Sequence, residues 1–223
     1  MVTVRRNAAI VLSVSLLMGV GACTADDTTD QSDHKETACE ELLGASGVDW
    51  VKDNTEAETG VAPGSDDLES AKSLFATQAK SWDPSSEKVP LFSSSELCRV
   101  VKRSNSAGAS LSIRFGASVI PFDHPFEEDQ IETTVNSDVK LVHEKDTRGR
   151  KRYFVYVKCQ VEGAPTNQED EVPLEGVMTD TLTNSHSADD HLNYLLHSAR
   201  TAIKSFDCQN SPAVPATMPD RIK

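Results

Sequence analysis

Five cysteines, six histidines and one tight cluster of basic residues carry most of the chemical potential of this chain. A zinc site usually draws two ligands from one short turn, as in C-x-x-C. Cys39, Cys98, Cys159 and Cys208 lie far apart in sequence, so that spacing is missing. His186, His191 and His197 fall in or near one periodic stretch, but positions 191 and 197 do not share a face at 3.6 residues per turn. His143-Glu144 lacks a second histidine four residues after the first, so the zinc-protease motif is absent. The acids Asp123, Glu127, Glu128, Asp129 and Glu132 lack the alternating ligands and central glycine of an EF-hand. There is no Gly-x-Ser-x-Gly elbow and no glycine loop to cradle a phosphate. Solvated side chains explain these histidines and acids more simply. No catalytic residue, metal ligand or cofactor is assigned.

Two features do carry a chemical expectation. Arg148, Arg150, Lys151 and Arg152 crowd around Gly149 in an otherwise acidic chain. They could grip an anionic wall polymer, a lipid headgroup or an acidic protein, although a solvated hairpin tip is the plainer reading. The other feature is Cys23. Arg5 and Arg6 precede an apolar run from Ala8 to Val20, and Val20-Gly21-Ala22-Cys23 follows. A positive head, a short apolar stretch and small residues at the cut site mark an export signal. The run is shorter than the roughly 20 residues that span a bilayer. Ending on cysteine, it resembles a bacterial lipoprotein signal, in which the thiol is lipidated and the peptide is cut just before it. Arg5-Arg6 also fits a twin-arginine signal loosely, so the export route stays open.

The expected organisation follows. Residues 1–22 are the signal, and 23–36 are the lipidated cysteine with an acidic tether. Residues 37–208 form one domain, and 209–223 are a loose tail with three prolines. The tether has no apolar period and cannot offset its ordering entropy; it would set the domain about 20 Å from the lipid. The chain holds 22 basic and 35 acidic residues, a formal charge of −13. The leader removes two of the basic ones. Such a balance disfavours nucleic acid, whose binding depends on neutralising phosphates, and an anionic membrane surface.

An exported compartment permits disulfides, and four cysteines outside the leader allow three pairings. Loop-closure entropy hardly separates them. Placement favours Cys39–Cys98 and Cys159–Cys208, each joining a helix to a strand.

The elements come from period and caps. Thr37 and Glu40 form a capping box, Gly44 ends a short helix, and Ser46 starts a second turn. Leu68, Ala71, Phe75, Ala79 and Trp82 recur at helical spacing behind Ser65-Asp66-Asp67, an N-cap with acids in the first turn. Between these helices, residues 52–64 read as a polar loop. Leu111, Ile113 and Phe115 alternate on a strand, with Cys98 to Val101 as its hairpin partner. Residues 121–138 read as an acidic irregular segment. Val139 to Glu144 and Tyr153 to Val161 form the clearest hairpin. Tyr153, Val155, Val157 and Cys159 take one face of its second arm, and Phe154, Tyr156 and Lys158 the other. A further strand falls near 172–181. The last helix is capped by Ser187 and carries a stripe of Leu192, Leu195, Leu196, Ala199, Ala202, Ile203 and Phe206. The fold class is α+β, a single domain in which helices pack on an antiparallel sheet, with two disulfides.

With these motifs in hand, the chain resembles small secreted lipoproteins of actinobacteria, streptomycete-like in kind. The resemblance rests on Val20-Gly21-Ala22-Cys23, the acidic tether, Cys39-Glu40-Glu41-Leu42-Leu43, Leu97-Cys98-Arg99-Val100, Tyr156-Val157-Lys158-Cys159 and the closing helix to Cys208. It implies location and a compact α+β fold, and carries no catalytic residue across. The expectation is a domain held by lipid on the outer face of the cytoplasmic membrane, binding a protein or envelope partner without catalysis. A small-solute or lipid carrier is the alternative, disfavoured by an aromatic content of only 5%. An extracellular hydrolase without a familiar motif ranks third.

Overall fold

The computed structural model describes residues 37–56, 58–62, 66–102, 108–144 and 151–219. The leader, Cys23, the tether and the hairpin tip at 145–150 lie outside the described residues.

The first helix, α1 (Ala38–Asp53), begins at the expected capping box. Thr37 Oγ1 accepts from the Glu40 N–H at 3.2 Å, and Glu40 Oε2 accepts from the Thr37 N–H at 2.9 Å. Gly44 kinks the helix with φ +65° and ψ 169°, a conformation essentially confined to glycine. Gly44 therefore ends one short helix and a second follows it, as expected, the two running on across the kink as α1. A short strand follows, β1 (Thr59–Ala62), and then α2 (Leu68–Ser81). Asp67 caps α2 by accepting from the Ser70 N–H at 2.7 Å. Ala71, Phe75 and Ala79 are buried along its inner face.

The remaining elements are β2 (Ser94–Lys102), β3 (Ser110–Ala117), β4 (Gln130–Thr134), β5 (Val139–Glu144), β6 (Lys151–Val157), a single turn α3 (Gln168–Glu171), β7 (Leu174–Asp180) and α4 (Ala188–Ser205). The seven strands form one antiparallel sheet in the order β1-β2-β3-β7-β6-β5-β4. Helices α1, α2 and α4 pack on one face, giving the α+β architecture. Leu111, Ile113, Phe115, Tyr153, Val155, Val157, Leu174 and Met178 project into this helical layer and are buried with the stripe of α4. A bulge between Glu96 and Cys98 breaks the alternation of β2, so Leu97 and Cys98 are both buried.

Both favoured disulfides are formed. Cys39–Cys98 joins α1 to β2 with Cα atoms 4.3 Å apart, and Cys159–Cys208 joins the ends of β6 and α4 at 5.0 Å. Their sequence separations of 59 and 49 residues correspond to roughly 4 kcal/mol each by the chain-entropy argument, an upper bound.

Three expectations change. The stretch 52–64 is not all loop, because β1 pairs with β2 from Thr59↔Lys102 to Ala62↔Arg99. The segment 121–138 contains β4, an edge strand beside β5. Its first part lies over the second face of the sheet, where Phe122 packs with Val142, Phe154 and Tyr156. The predicted split of β6 side chains between two faces holds, and this segment covers the second face. The tail is tied down as far as residue 219: Gln209 N–H donates to Gln160 O at 2.9 Å, Ala213 N–H to Asp138 Oδ2 at 3.0 Å, and Met218 N–H to Asn193 Oδ1 at 2.9 Å.

Candidate functional site

The basic cluster does not act as one outward-facing unit. Lys151 sits opposite Asp180 in the β6–β7 register and is only 9% exposed. Its ammonium donates to Ser185 O at 2.6 Å and Thr183 O at 3.2 Å, so it points inward. Arg152 pairs with Glu144 at 2.9 Å and lies 4.9 Å over the Phe154 ring. Arg148 and Arg150 lie outside the described residues. Lys151 is thus withdrawn from an anionic contact, whereas Arg152 keeps a side chain 39% exposed beside its partner Glu144.

The histidines require a second correction. His191 is no solvated side chain; it and Asp180 are both 0% exposed. Asp180 ends β7 and organises the turn that follows. Its Oδ1 accepts from the Leu182 and Thr183 N–H groups at 2.7 and 2.9 Å, the pattern of an Asx turn. Its Oδ2 accepts from the Thr183 hydroxyl and from His191 Nε2, the latter at 2.8 Å. On the other side of the ring, His191 Nδ1 donates to Ser187 O at 2.7 Å. A carbonyl and a carboxylate can only accept, so both bonds together call for the doubly protonated ring. Tyr153 stacks on this imidazole at 4.4 Å and Trp50 meets it edge-on at 4.8 Å. Burial alone would raise the Asp180 carboxyl. The hydrogen bonds from His191, Thr183 and Leu182 overcome that and hold it below the ordinary value.

This arrangement has the residue types of a general-base pair, yet both ring nitrogens are already engaged. A working base needs one nitrogen within reach of a substrate proton. The chemistry the geometry supports here is a buried ion pair that locks the β7–α4 connection. Among the described residues, no group of three or more His, Cys, Asp or Glu side chains could hold a metal ion. On the opposite face of the sheet, burial pushes the Glu175 carboxyl up, partly offset by hydrogen bonds from Tyr156 and Ser118.

The most exposed chemistry lies in the loop 82–93, between α2 and β2. Its stem is clamped. The Gln78 amide, in the orientation that satisfies both of its ends, donates to Ser93 O at 3.0 Å and accepts from Ser93 N–H at 2.8 Å. Trp82 and Phe92 pack inward against the core. Asp83 holds the first turn, accepting from the Ser85 N–H at 2.9 Å and the Ser85 hydroxyl at 2.7 Å. Those two bonds depress its carboxyl below the usual range. The tip turns outward, leaving Val89 75% and Leu91 98% exposed. Beneath it a cleft of about 250 Å³ is lined by Gln78, Trp82, Lys88 and Pro90, among others. That is smaller than the roughly 300–1,000 Å³ of drug-sized ligand sites, so a surface contact suits the loop better than an enclosed ligand.

A short loop with close ends and its own internal packing is an Ω-loop, a form often functional. Sequence reasoning passed over it, although the signal was present. Val89-Pro90-Leu91-Phe92 is an apolar run between Ser85-Ser86 and Ser93-Ser94-Ser95, too short for a core element and uncovered by any period. No protein-family model matches the chain, and neither a curated protein nor a solved structure matches it.

Proposed function

We propose that this chain is an extracytoplasmic domain, held to the outer face of the cytoplasmic membrane by lipid on Cys23, that works by binding. The observation that carries the reading is the clamped loop with Val89 and Leu91 in solvent. Folding normally buries side chains of this size, and a loop clamped at its stem that leaves two of them in solvent suits a contact with an apolar surface. The two disulfides support an oxidising compartment, and the leader supplies the route and the anchor. The engaged state of His191 supports a structural part for the Asp180–His191 pair. Arg148 and Arg150 are a second contact to test, by reversing those two alone, since reversing Arg152 would also break its pair with Glu144.

The anchor is tested by fractionating cells that express the full chain and measuring the mass of its mature N-terminus. The expected result is sedimentation with membranes and an acylated Cys23, with Cys23→Ala blocking the processing. An unmodified Cys23, or a mature chain that begins elsewhere, overturns the anchored reading.

A further inference from the structure

We infer that the apolar surface met by loop 82–93 is the bilayer itself, with Val89 and Leu91 entering its interfacial layer and fixing how the domain stands. This rests on the anchored reading above.

The side chains suit that medium. The two outward groups, Val89 and Leu91, are aliphatic and suited to a lipid interior. Pro90, between the two outward residues, has no N–H to desolvate on entry. The charges permit approach at this point. The chain as a whole is at −13, which opposes contact with an anionic surface. Within the loop, however, Asp83, Glu87 and Lys88 leave a net charge of only −1, and Lys80 stands just before it on α2. The tip is therefore a weakly charged apolar point on an acidic domain, suited to insertion without electrostatic attraction.

The chain length brings the tip within reach. The tether ends at α1, and Cys39 near the start of α1 is bonded to Cys98 with Cα atoms 4.3 Å apart. Leu91 precedes Cys98 by seven residues, at most about 25 Å along an extended chain. The 14 residues from Cys23 to Glu36 span up to about 50 Å when extended and about 20 Å when flexible. The loop can thus touch the bilayer at ordinary tether extension. A flexible tether holds a domain near a membrane without orienting it. A second, apolar point of attachment supplies the orientation.

The experiment places a photoreactive benzoyl-phenylalanine at position 91 of the full chain, and in a control at Asp129, beside β4 at the opposite edge of the sheet. Both are irradiated in intact membranes. The expected result is a lipid adduct about tenfold more abundant at 91 than at 129, the factor that partial burial of one large apolar side chain at the tip supports. Val89→Asp in the probe-bearing chain should cut that adduct several-fold while its urea midpoint stays unchanged. An adduct to one discrete protein, or no adduct, in chains that sediment with an acylated Cys23 overturns the inference and leaves the anchored reading standing. An unmodified Cys23 with no lipid adduct overturns both. Equal lipid adducts at 91 and 129 also overturn the inference, since the domain would then lie without a preferred orientation.

Discussion

Asp180 and His191 are the two side chains whose loss the fold would feel most sharply. Removing one partner leaves the other buried with its hydrogen bond broken, a defect that typically costs about 3–5 kcal/mol where the survivor keeps its charge. Asp180→Asn and His191→Leu should each lower the urea-unfolding free energy by that order, and together by clearly less than the sum, because the second change removes a group already stranded. Additive losses would mean that the two groups do not act as a pair. The pH dependence has a definite sign. The Asp180 carboxyl is lower in the folded chain than in the unfolded one, so its contribution is complete above the ordinary value near 3.8. That contribution is lost as pH falls through the lower, folded value. The acid limb of the stability curve should therefore flatten in Asp180→Asn.

The elements differ in how plainly the sequence announces them, for a physical reason. α4 was legible because seven apolar residues repeat along one stripe and Ser187 caps it, its hydroxyl accepting from the Asp190 N–H at 3.2 Å. The β5–β6 hairpin was legible through strict alternation, although its second arm runs from Lys151 to Val157 while Cys159 and Gln160 leave to meet Cys208 and Asn210. β1 and β4 were not legible, since edge strands are held by main-chain bonds to one neighbour and need no apolar period. His191 was misread because its polarity suggested solvent, whereas its place beside Leu192 on the inner face of α4 made burial the better inference. Its partner Asp180 is eleven residues earlier on another element, beyond any local pattern. β7 depends on a subtler choice. Gly176 stands between Phe115 and Val155 in register, and a Cβ there would come within 2.5 Å of Phe115 Cε1 and 2.7 Å of Val155 Cγ1. Gly176→Ala should cost at least about 1–3 kcal/mol by overpacking the middle of the sheet, read as a lower urea midpoint at constant m-value. A variant as stable as the parent would show that the neighbouring strands can separate.

At the scale of the whole molecule, two covalent ties fasten helices to the sheet, and they are not equally guarded. Cys39 and Cys98 are both buried, and their bond fastens the first helix to a strand within the core. Cys159 is buried too, but Cys208 is only partly so, and their bond closes the junction from which the strap 209–219 departs. The closed loops are of similar length, so chain entropy gives the two bonds nearly equal weight. Access distinguishes them, because exchange requires a thiolate to reach a sulfur. A mild reductant should open Cys159–Cys208 first, as mapped by alkylation and peptide mass. Cleavage of the strap by a protease should rise at the same stage, since Gln209 and Asn210 hold positions set by that bond. Prior opening of Cys39–Cys98 would show that access is set by motion of α1 and not by static burial. With both bonds open, the loss approaches the roughly 5–15 kcal/mol that stabilises an ordinary domain. A fold so dependent on oxidised sulfur should be kept poorly in a reducing compartment and well in an oxidising one.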